Sequence, residues 1–437
     1  MTLSDVLHFA LIAFYLALPA LAAGWAAAAA RRTRTWKPLR AFALSCVSAG
    51  VVATALCLSN AHAVDARAPA GQIAFAAYLL LGVLSLLKGF DQLLKRGADR
   101  LLAVRLPDGS RRSDRRQRWL RGGTAGLLRV CVLFGVALPY LMSLCMVYRP
   151  KVVPNDDSRA LLGAAYEPVA FYATDGSRVA AWWVPARPPP RGRPVPPGWG
   201  ERTVVVCHGL GANRANHLLL GRDLWANGYN LLAIDFRAHG GSGGQLTSFG
   251  DGERHDVLGA VRWAKANRPA AARKVYGLGI SMGAAAMLAA TGEPTAEGRA
   301  IDAVAVLSTY DTFAGLAEHV SATQFPRPLG WAVRHLGVPV ASAHVGRDLS
   351  AFRPVDAAAR LSPRPLFVAH GRGDGLIPQA AGERLFEAGR QPKSARWVGE
   401  WDGTAYVLAP GVPVDHNNLA DDEATLRAVR EFFDAEG

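Results

Sequence analysis

Lys274-Val275-Tyr276-Gly277-Leu278-Gly279-Ile280-Ser281-Met282-Gly283-Ala284-Ala285-Ala286-Met287-Leu288-Ala289-Ala290 is the stretch that decides how this 437-residue chain folds. Lys274 to Leu278 reads as a short buried strand, and Ala284 to Ala290 is a run of strong helix formers. The serine of the G-x-S-x-G pattern therefore falls on a sharp strand-to-helix turn. Side chains at positions 279 and 283 would collide with the strand or the helix, which explains the two glycines. The turn exposes the serine oxygen above the sheet, and the next N–H, that of Met282, opens a helix whose dipole favours a developing negative charge.

Working upstream, Arg202 to Cys207 is a β-branched run ending in His208-Gly209-Leu210-Gly211. A His-Gly-x-Gly turn can aim the Leu210 N–H at the same oxyanion as Met282, giving a two-donor hole. Cys207, a small residue ending a buried strand, reads as core, and His208 as a histidine that holds the loop. Asn230 to Asp235 is a further strand, followed by Phe236-Arg237-Ala238-His239-Gly240-Gly241-Ser242-Gly243. Downstream, Arg364 to Ala369 reads as a strand whose exit, His370-Gly371-Arg372-Gly373-Asp374, carries an aspartate. Asp415-His416-Asn417-Asn418-Leu419 places a histidine in a loop before a last helix, Glu423 to Phe433.

Together the HGLG turn, the D-x-R-x-H-G-x-S turn, the GISMG elbow and the HGRGD and DHNNL segments resemble the α/β-hydrolase superfamily. The similarity is to its monoacylglycerol-lipase-like, serine-aminopeptidase-like and acyl-protein-depalmitoylase-like branches, and it covers residues 160 to 437. The resemblance implies a mostly parallel sheet flanked by helices, with Ser281 as nucleophile, Asp374 as orienting acid and His416 as base, in the chain order this fold uses. It also implies that Asp235, Arg237 and His239 are structural. Asp402 and Asp415 are the alternative acids and His370 the alternative base. Asp415 adjoins His416, and neighbouring side chains rarely face one another; His370, just before the acid, reads as holding that loop.

No cofactor is expected. HxxxH, HExxH and CxxC ligand spacings are absent, the glycine-rich turns lack the Lys-Ser/Thr ending of a P-loop, and no dinucleotide G-x-G-x-x-G opens the relevant strand-helix unit.

Residues 1–150 differ in composition. Four apolar stretches, His8 to Ala30, Ala41 to Leu58, Gln72 to Leu87 and Thr124 to Tyr148, approach the ~20 residues that span a bilayer core. The third is marginal, with a buried or interfacial helix as its alternative reading. Residues 1–151 hold 20 Lys and Arg against 6 Asp and Glu, whereas residues 152–437 hold 29 of each, so the net charge of +14 belongs to the N-terminal third. Arg31 to Arg40 carries five basic residues, Asn60 to Gly71 one, and Lys88 to Arg121 eleven. The positive-inside rule puts the two rich loops in the cytoplasm. The expectation is a multi-pass integral membrane protein of four helices, with its hydrolase domain on the extracytoplasmic side and membrane lipids as partners. The basic loops lack interleaved aromatics, which argues against nucleic acid. Apart from Arg129 the spans hold almost no ionisable residues, which argues against a transporter. Cys46, Cys57, Cys131 and Cys145 lie in spans two and four, leaving Cys207 alone in the hydrolase domain and no disulfide framework there.

Val169 to Val184 reads as an antiparallel hairpin around Asp175-Gly176, and Pro185 to Gly200 as a solvated loop. Thr312 to Phe352 sits where hydrolases of this type insert a cap, and Phe313, Phe325 and Trp331 are its candidate acyl-pocket residues; ordinary packing of a crossover helix is the other reading. The functional expectation is a membrane-anchored serine hydrolase cleaving a carboxylic ester or thioester, with a lipid-derived acyl group favoured by the membrane region and the apolar interval. A serine peptidase on the same fold and a non-catalytic membrane scaffold are the alternatives.

Overall fold

The computed structural model describes residues 138–149, 151–192, 194–401, 406–409, 412–413, 416 and 418–436, with isolated positions between 23 and 127. The chain forms two compact units, residues 1–138 and 139–437. In the first, Val104–Arg105 pairs antiparallel with Arg111–Arg112. The first three expected spans lie largely outside the described residues. Among the described residues, no helix is long and apolar enough to cross a membrane.

The second unit is built on eight strands: β1 Glu167–Tyr172, β2 Arg178–Val184, β3 Arg202–Cys207, β4 Tyr229–Ile234, β5 Lys274–Ile280, β6 Ala303–Leu307, β7 Leu366–Gly371 and β8 Lys393–Val398. Their order in the sheet is β8-β7-β6-β5-β3-β4-β2-β1. β1 pairs antiparallel with β2, and β2 with β4; every other pair is parallel. The expected hairpin is thus the β1–β2 pair. Strands β3, β4, β6 and β7 are buried at every position, as a parallel sheet covered on both faces requires.

Alternate residues of each strand serve opposite faces. Val205, Cys207, Leu232, Ile234, Val304 and Val306 meet one apolar layer, closed by α2 (Arg254–Asn267), α3 (Met282–Gly292) and α7 (Pro354–Arg360). Val204, Val206, Leu231, Ala233, Ala305 and Phe367 meet the other, closed by Leu218, Leu224 and the Leu426, Val429, Phe433 stripe of α8 (Glu423–Asp434). Burial of this kind contributes ~25 cal/mol per Å² of apolar surface, so the sheet is the rigid base on which the strand exits are held.

Between β6 and β7 stands a small helical cap, α4 (Phe313–Thr323), α5 (Arg327–Ala332) and α6 (Val338–Val345). A helix before the sheet, α1 (Leu138–Val147), packs on it: Tyr140 meets His344 edge to face at 5.1 Å, and Val147 is buried with Phe313, Val338 and Ala341. This changes the reading of the fourth expected span. At least one face of Pro139 to Val147 is covered by the hydrolase unit itself, because a cap helix satisfies an apolar side chain as well as a lipid tail does.

Candidate active site

The turn after β5 is as tight as the glycine spacing required. A Cβ on Gly279 would lie 2.7 Å from the backbone of Gly283 and Ala284, and one on Gly283 would lie 2.4 Å from the His208 carbonyl oxygen. Ser281 between them adopts φ 54°, ψ −124°, a conformation that an L-residue holds only when its surroundings over-determine it. They do: the Ser281 N–H donates to the Leu307 carbonyl at 2.9 Å, and the Thr309 hydroxyl donates to the Ser281 carbonyl at 2.8 Å. Thr309 had no signal in the sequence, since it is adjacent only through the β5–β6 pairing.

Three distant segments converge on the serine. Its hydroxyl lies 3.0 Å from His416 Nε2, and His416 Nδ1–H donates to Asp374 Oδ2 at 2.7 Å. The other oxygen, Oδ1, accepts the N–H groups of Leu376 at 3.0 Å and Ile377 at 2.8 Å. Burial alone would raise the Asp374 carboxyl; hydrogen bonds from His370 and His416 and from the Ile377 N–H overcome it and hold the group well below the usual carboxylate range. His370 is engaged away from Ser281. Its Nε2–H donates to the Ile377 carbonyl at 2.9 Å with Asp374 Oδ2 3.5 Å away, so it fixes the acid loop. The alternative acids Asp402 and Asp415 lie outside the described residues.

The HGLG turn passes directly beside Ser281, with the Cβ position of Gly209 3.5 Å from the Ser281 Cβ. Two histidines clamp it. His208 Nδ1–H donates to the Gly209 carbonyl at 2.7 Å while its Nε2 accepts the Phe236 N–H at 3.0 Å. Burial drives the His208 pKa well below its usual value and keeps the ring neutral. His239 Nε2 accepts the Gly211 N–H at 3.0 Å. Asp235 accepts the N–H groups of Arg214 and Gly241, both at 2.7 Å, and pairs with the Arg214 guanidinium; Arg237 bridges Asp175 and Asp256. These residues are the scaffold of the turn, and Cys207 is core.

Met282 is the first residue of α3, so its N–H is among the four without an intrahelical acceptor. Leu210 is half-buried, and its side chain packs against an apolar cluster of Val147, Phe249, Tyr310, Phe313, Phe352 and Ile377. The cluster borders the Ser281, His416 and Asp374 group through Leu210, through Ala285 on α3, and through Ile377 after Asp374. Of the three pocket candidates only Phe313 belongs to it. Phe325 lies half-buried before α5 and outside the cluster. Trp331 is 58% exposed and leans on His335, because the register of α5 turns Gly330 and Ala332 inward and the indole outward.

The strand order, the single antiparallel edge and the elbow between β5 and α3 settle the architecture. The fold is that of the α/β hydrolases. Residues 200–327 match the sequence profile of the family described as "Serine aminopeptidase, S33". The chain is 25% identical over 260 residues to the uncharacterized protein YfhR of Escherichia coli O157:H7, covering 58% of this chain and 81% of that one. It is 24% identical over 240 residues to Protein ABHD12B of Homo sapiens, covering 54% and 61%. Among solved structures it is similar to the Pyrococcus furiosus esterase Pf2001, with a TM-score of 0.50 and 23% identity over 67% of this chain and 100% of that one. At such identity the likeness speaks for the fold alone.

Proposed function

We propose that this chain is a membrane-anchored serine hydrolase that cleaves carboxylic esters or thioesters through an acyl-enzyme. The observation that carries the reading is the continuous Ser281–His416–Asp374 hydrogen-bond relay, 3.0 Å and 2.7 Å, on a strained elbow. As Ser281 Oγ attacks the acyl carbon, His416 Nε2 takes its proton, and the imidazolium so formed is stabilised by the ionised Asp374. The tetrahedral oxygen is assigned to the Leu210 and Met282 N–H groups. His416 then returns the proton to the leaving oxygen or sulfur, and water repeats the cycle to free the acid. No step needs a cofactor.

The apolar cluster supports an aliphatic acyl group of lipid origin. The family description favours a second reading, an aminopeptidase. A free amine calls for a carboxylate at the site; among the described residues Asp374 is committed to His416, and Asp311 to Arg384 at 2.6 Å, so the ester is preferred. The relay also weighs against a non-catalytic scaffold. Fluorophosphonate labelling of membranes carrying the full chain, against Ser281→Ala, is the deciding experiment: labelling of the wild type alone is expected, and equal labelling of both ends the proposal.

Anchoring by residues 1–150, with the hydrolase unit outside the cytoplasm, belongs to the same proposal and rests on the alternation of basic loops. A cysteine introduced in Pro185 to Gly200, an exposed stretch, should react with an impermeant maleimide in intact cells. Reaction only after the inner membrane is opened reverses the topology.

A further inference from the structure

Val147 to Val152 lead from α1 into the hydrolase unit, and their contacts are not those of a plain linker. At one end the Thr247 N–H donates to the Val147 carbonyl at 2.8 Å, and Tyr148 forms an antiparallel bridge with Leu246. At the other end Asn213 Nδ2 donates to the Val152 carbonyl at 3.1 Å. In between, Lys151 Nζ donates to the Ser242 carbonyl at 2.5 Å, and the charge of Arg149 adds to the lowering that burial imposes on the His239 pKa. The Lys151 and Val152 side chains face solvent. At both ends it is therefore the main chain that does the holding, and residue type leaves no trace of it in the sequence.

Each anchor lies one step from a group assigned to the oxyanion. Thr247 is buried; its hydroxyl donates to Glu253 Oε1 at 2.8 Å and lies 3.4 Å from Met282 Sδ. Asn213, also buried, follows Leu210 by three residues. Its Oδ1 accepts the N–H groups of Ala215 at 3.0 Å and Asn216 at 3.3 Å, and its own N–H donates to Asn216 Oδ1 at 2.9 Å, so the loop after HGLG is knotted on this side chain. His239, near Arg149, accepts the Gly211 N–H. The chain thus touches the Leu210 loop and the neighbour of Met282 at once, and the five residues between its two anchoring carbonyls reach at most ~17 Å. That length limits how far the two loops can separate.

Resting on the ester-hydrolase reading, we infer that residues 147–152 are a positioning strap that keeps the Leu210 and Met282 N–H donors aimed at one oxygen, with Asn213 as the positioning residue on the Leu210 side. Two donors on separate loops serve one oxyanion only if the loops stay in register, and a misplacement of ~1 Å can cost about 100-fold in rate. The passage from the N-terminal third into the hydrolase unit is then part of the catalytic apparatus, and slack in it lowers acylation without touching Ser281, His416 or Asp374.

The test compares two insertions in the purified full chain in detergent, with p-nitrophenyl octanoate as substrate. Two glycines after Arg149 add up to ~7 Å of slack between the Val147 and Val152 contacts. Two glycines after Asn155, an exposed position, lengthen the same passage outside them. The first insertion should lower kcat by about 100-fold, the scale of one oxyanion donor, with KM within about twofold and Tm nearly unchanged; the second should match the wild type. The Ki of an alkyl boronic acid, whose adduct on Ser281 is tetrahedral, should rise in the first insertion by the factor that kcat/KM falls, because the lost contacts belong to the transition state. Asn213→Asp, which keeps an acceptor oxygen and removes the donor to Val152, should show the same pattern at about tenfold. Wild-type kcat and Ki in the first insertion overturn the proposal and leave the hydrolase reading standing. A kcat loss with unchanged Ki, or equal losses in both insertions, also overturns it. If the first insertion does not fold, Asn213→Asp decides by the same two readings. A wild type that neither turns over the ester nor takes fluorophosphonate removes the hydrolase reading and this proposal with it.

Discussion

The exits of the sheet and the cap above them are held by different physics. At β5 and β7 the backbone leaves little choice: Ser281 sits at φ 54° between two glycines whose Cβ positions are already occupied, and Asp374 has both oxygens hydrogen-bonded. In the cap, α4 to α6 need only offer apolar surface on one side, so Phe313 is buried while Trp331 is 58% exposed. Residue identity is dictated where geometry is tight and only constrained in polarity where it is loose. The two regions should therefore answer substitution differently.

The largest effects belong to the sheet side. His416→Ala and Asp374→Asn should each lower kcat by about 10⁴-fold, the scale for losing a triad partner, with little change in fold. Single-turnover kinetics on a p-nitrophenyl ester measures it, and a loss under tenfold in either variant removes that residue from the relay.

Gly283→Ala comes next. Its methyl would press to 2.4 Å from the His208 carbonyl oxygen and 2.5 Å from that of Cys207. Neither is a flexible side chain, so the HGLG turn itself must move. Overpacking of this kind costs ~1–3 kcal/mol and sometimes more. A lowered Tm together with a larger loss of acylation than of stability is the expected pair of readings. Wild-type acylation in Gly283→Ala would show that the turn is slack and that the contrast with the cap is wrong.

How much could be read in the sequence follows the same division. The elbow, the acid loop and the histidine were legible because each needs particular residue types at fixed spacing, and Ser281, Asp374 and His416 meet as that spacing implied. The inner strands β3, β4, β5 and β7 were legible because a buried parallel sheet demands unbroken apolar runs, whereas the edge strand β8, with Lys393, Ser394 and Arg396, carries no such run and was not. Thr309 was not, since it reaches Ser281 through tertiary packing and interrupts no pattern. The stretch from Thr124 to Tyr148 shows the same limit from another side. Hydropathy registers that Met146 and Val147 avoid water, but the partner they have, a cluster around Phe313 and Val338, is invisible to it.

Within the cap, Phe313 and Trp331 give a direct comparison of two aromatics eighteen positions apart. Phe313→Ala should destabilise by ~3–5 kcal/mol, as buried Phe truncations do, and Trp331→Ala by no more than ~0.5 kcal/mol. Substrate length should separate them too. If the cluster holds the acyl chain, kcat/KM for p-nitrophenyl esters should rise from two to eight carbons by up to ~0.8 kcal/mol per methylene, roughly fourfold. A conservative Phe313→Leu should flatten the rise, whereas Trp331→Ala should leave it unchanged. A flat profile in the wild type would make the cluster ordinary packing and remove the lipid-derived part of the proposed function.

The last comparison concerns His217, which stands on the sheet side but is fixed by no pattern. Its pKa is about 4 in the folded chain and ~6.5 when unfolded. Above pH ~6.5 the ring is neutral in both states and its contribution to stability is fully present. As pH falls from there toward 4, the unfolded chain gains a proton that the folded chain refuses, so stability declines across that window. His208 and His239 are also lowered by burial and add slopes of the same sign. The informative quantity is therefore the difference between wild type and His217→Gln in denaturant-unfolding free energy between pH 7 and pH 4. The wild-type curve should fall more steeply, because the variant has lost one titrating group of depressed pKa. Parallel curves would mean that the imidazole protonates as freely in the fold as in the unfolded chain, and that the enclosure of its Nδ1 imposes no penalty on the charged ring.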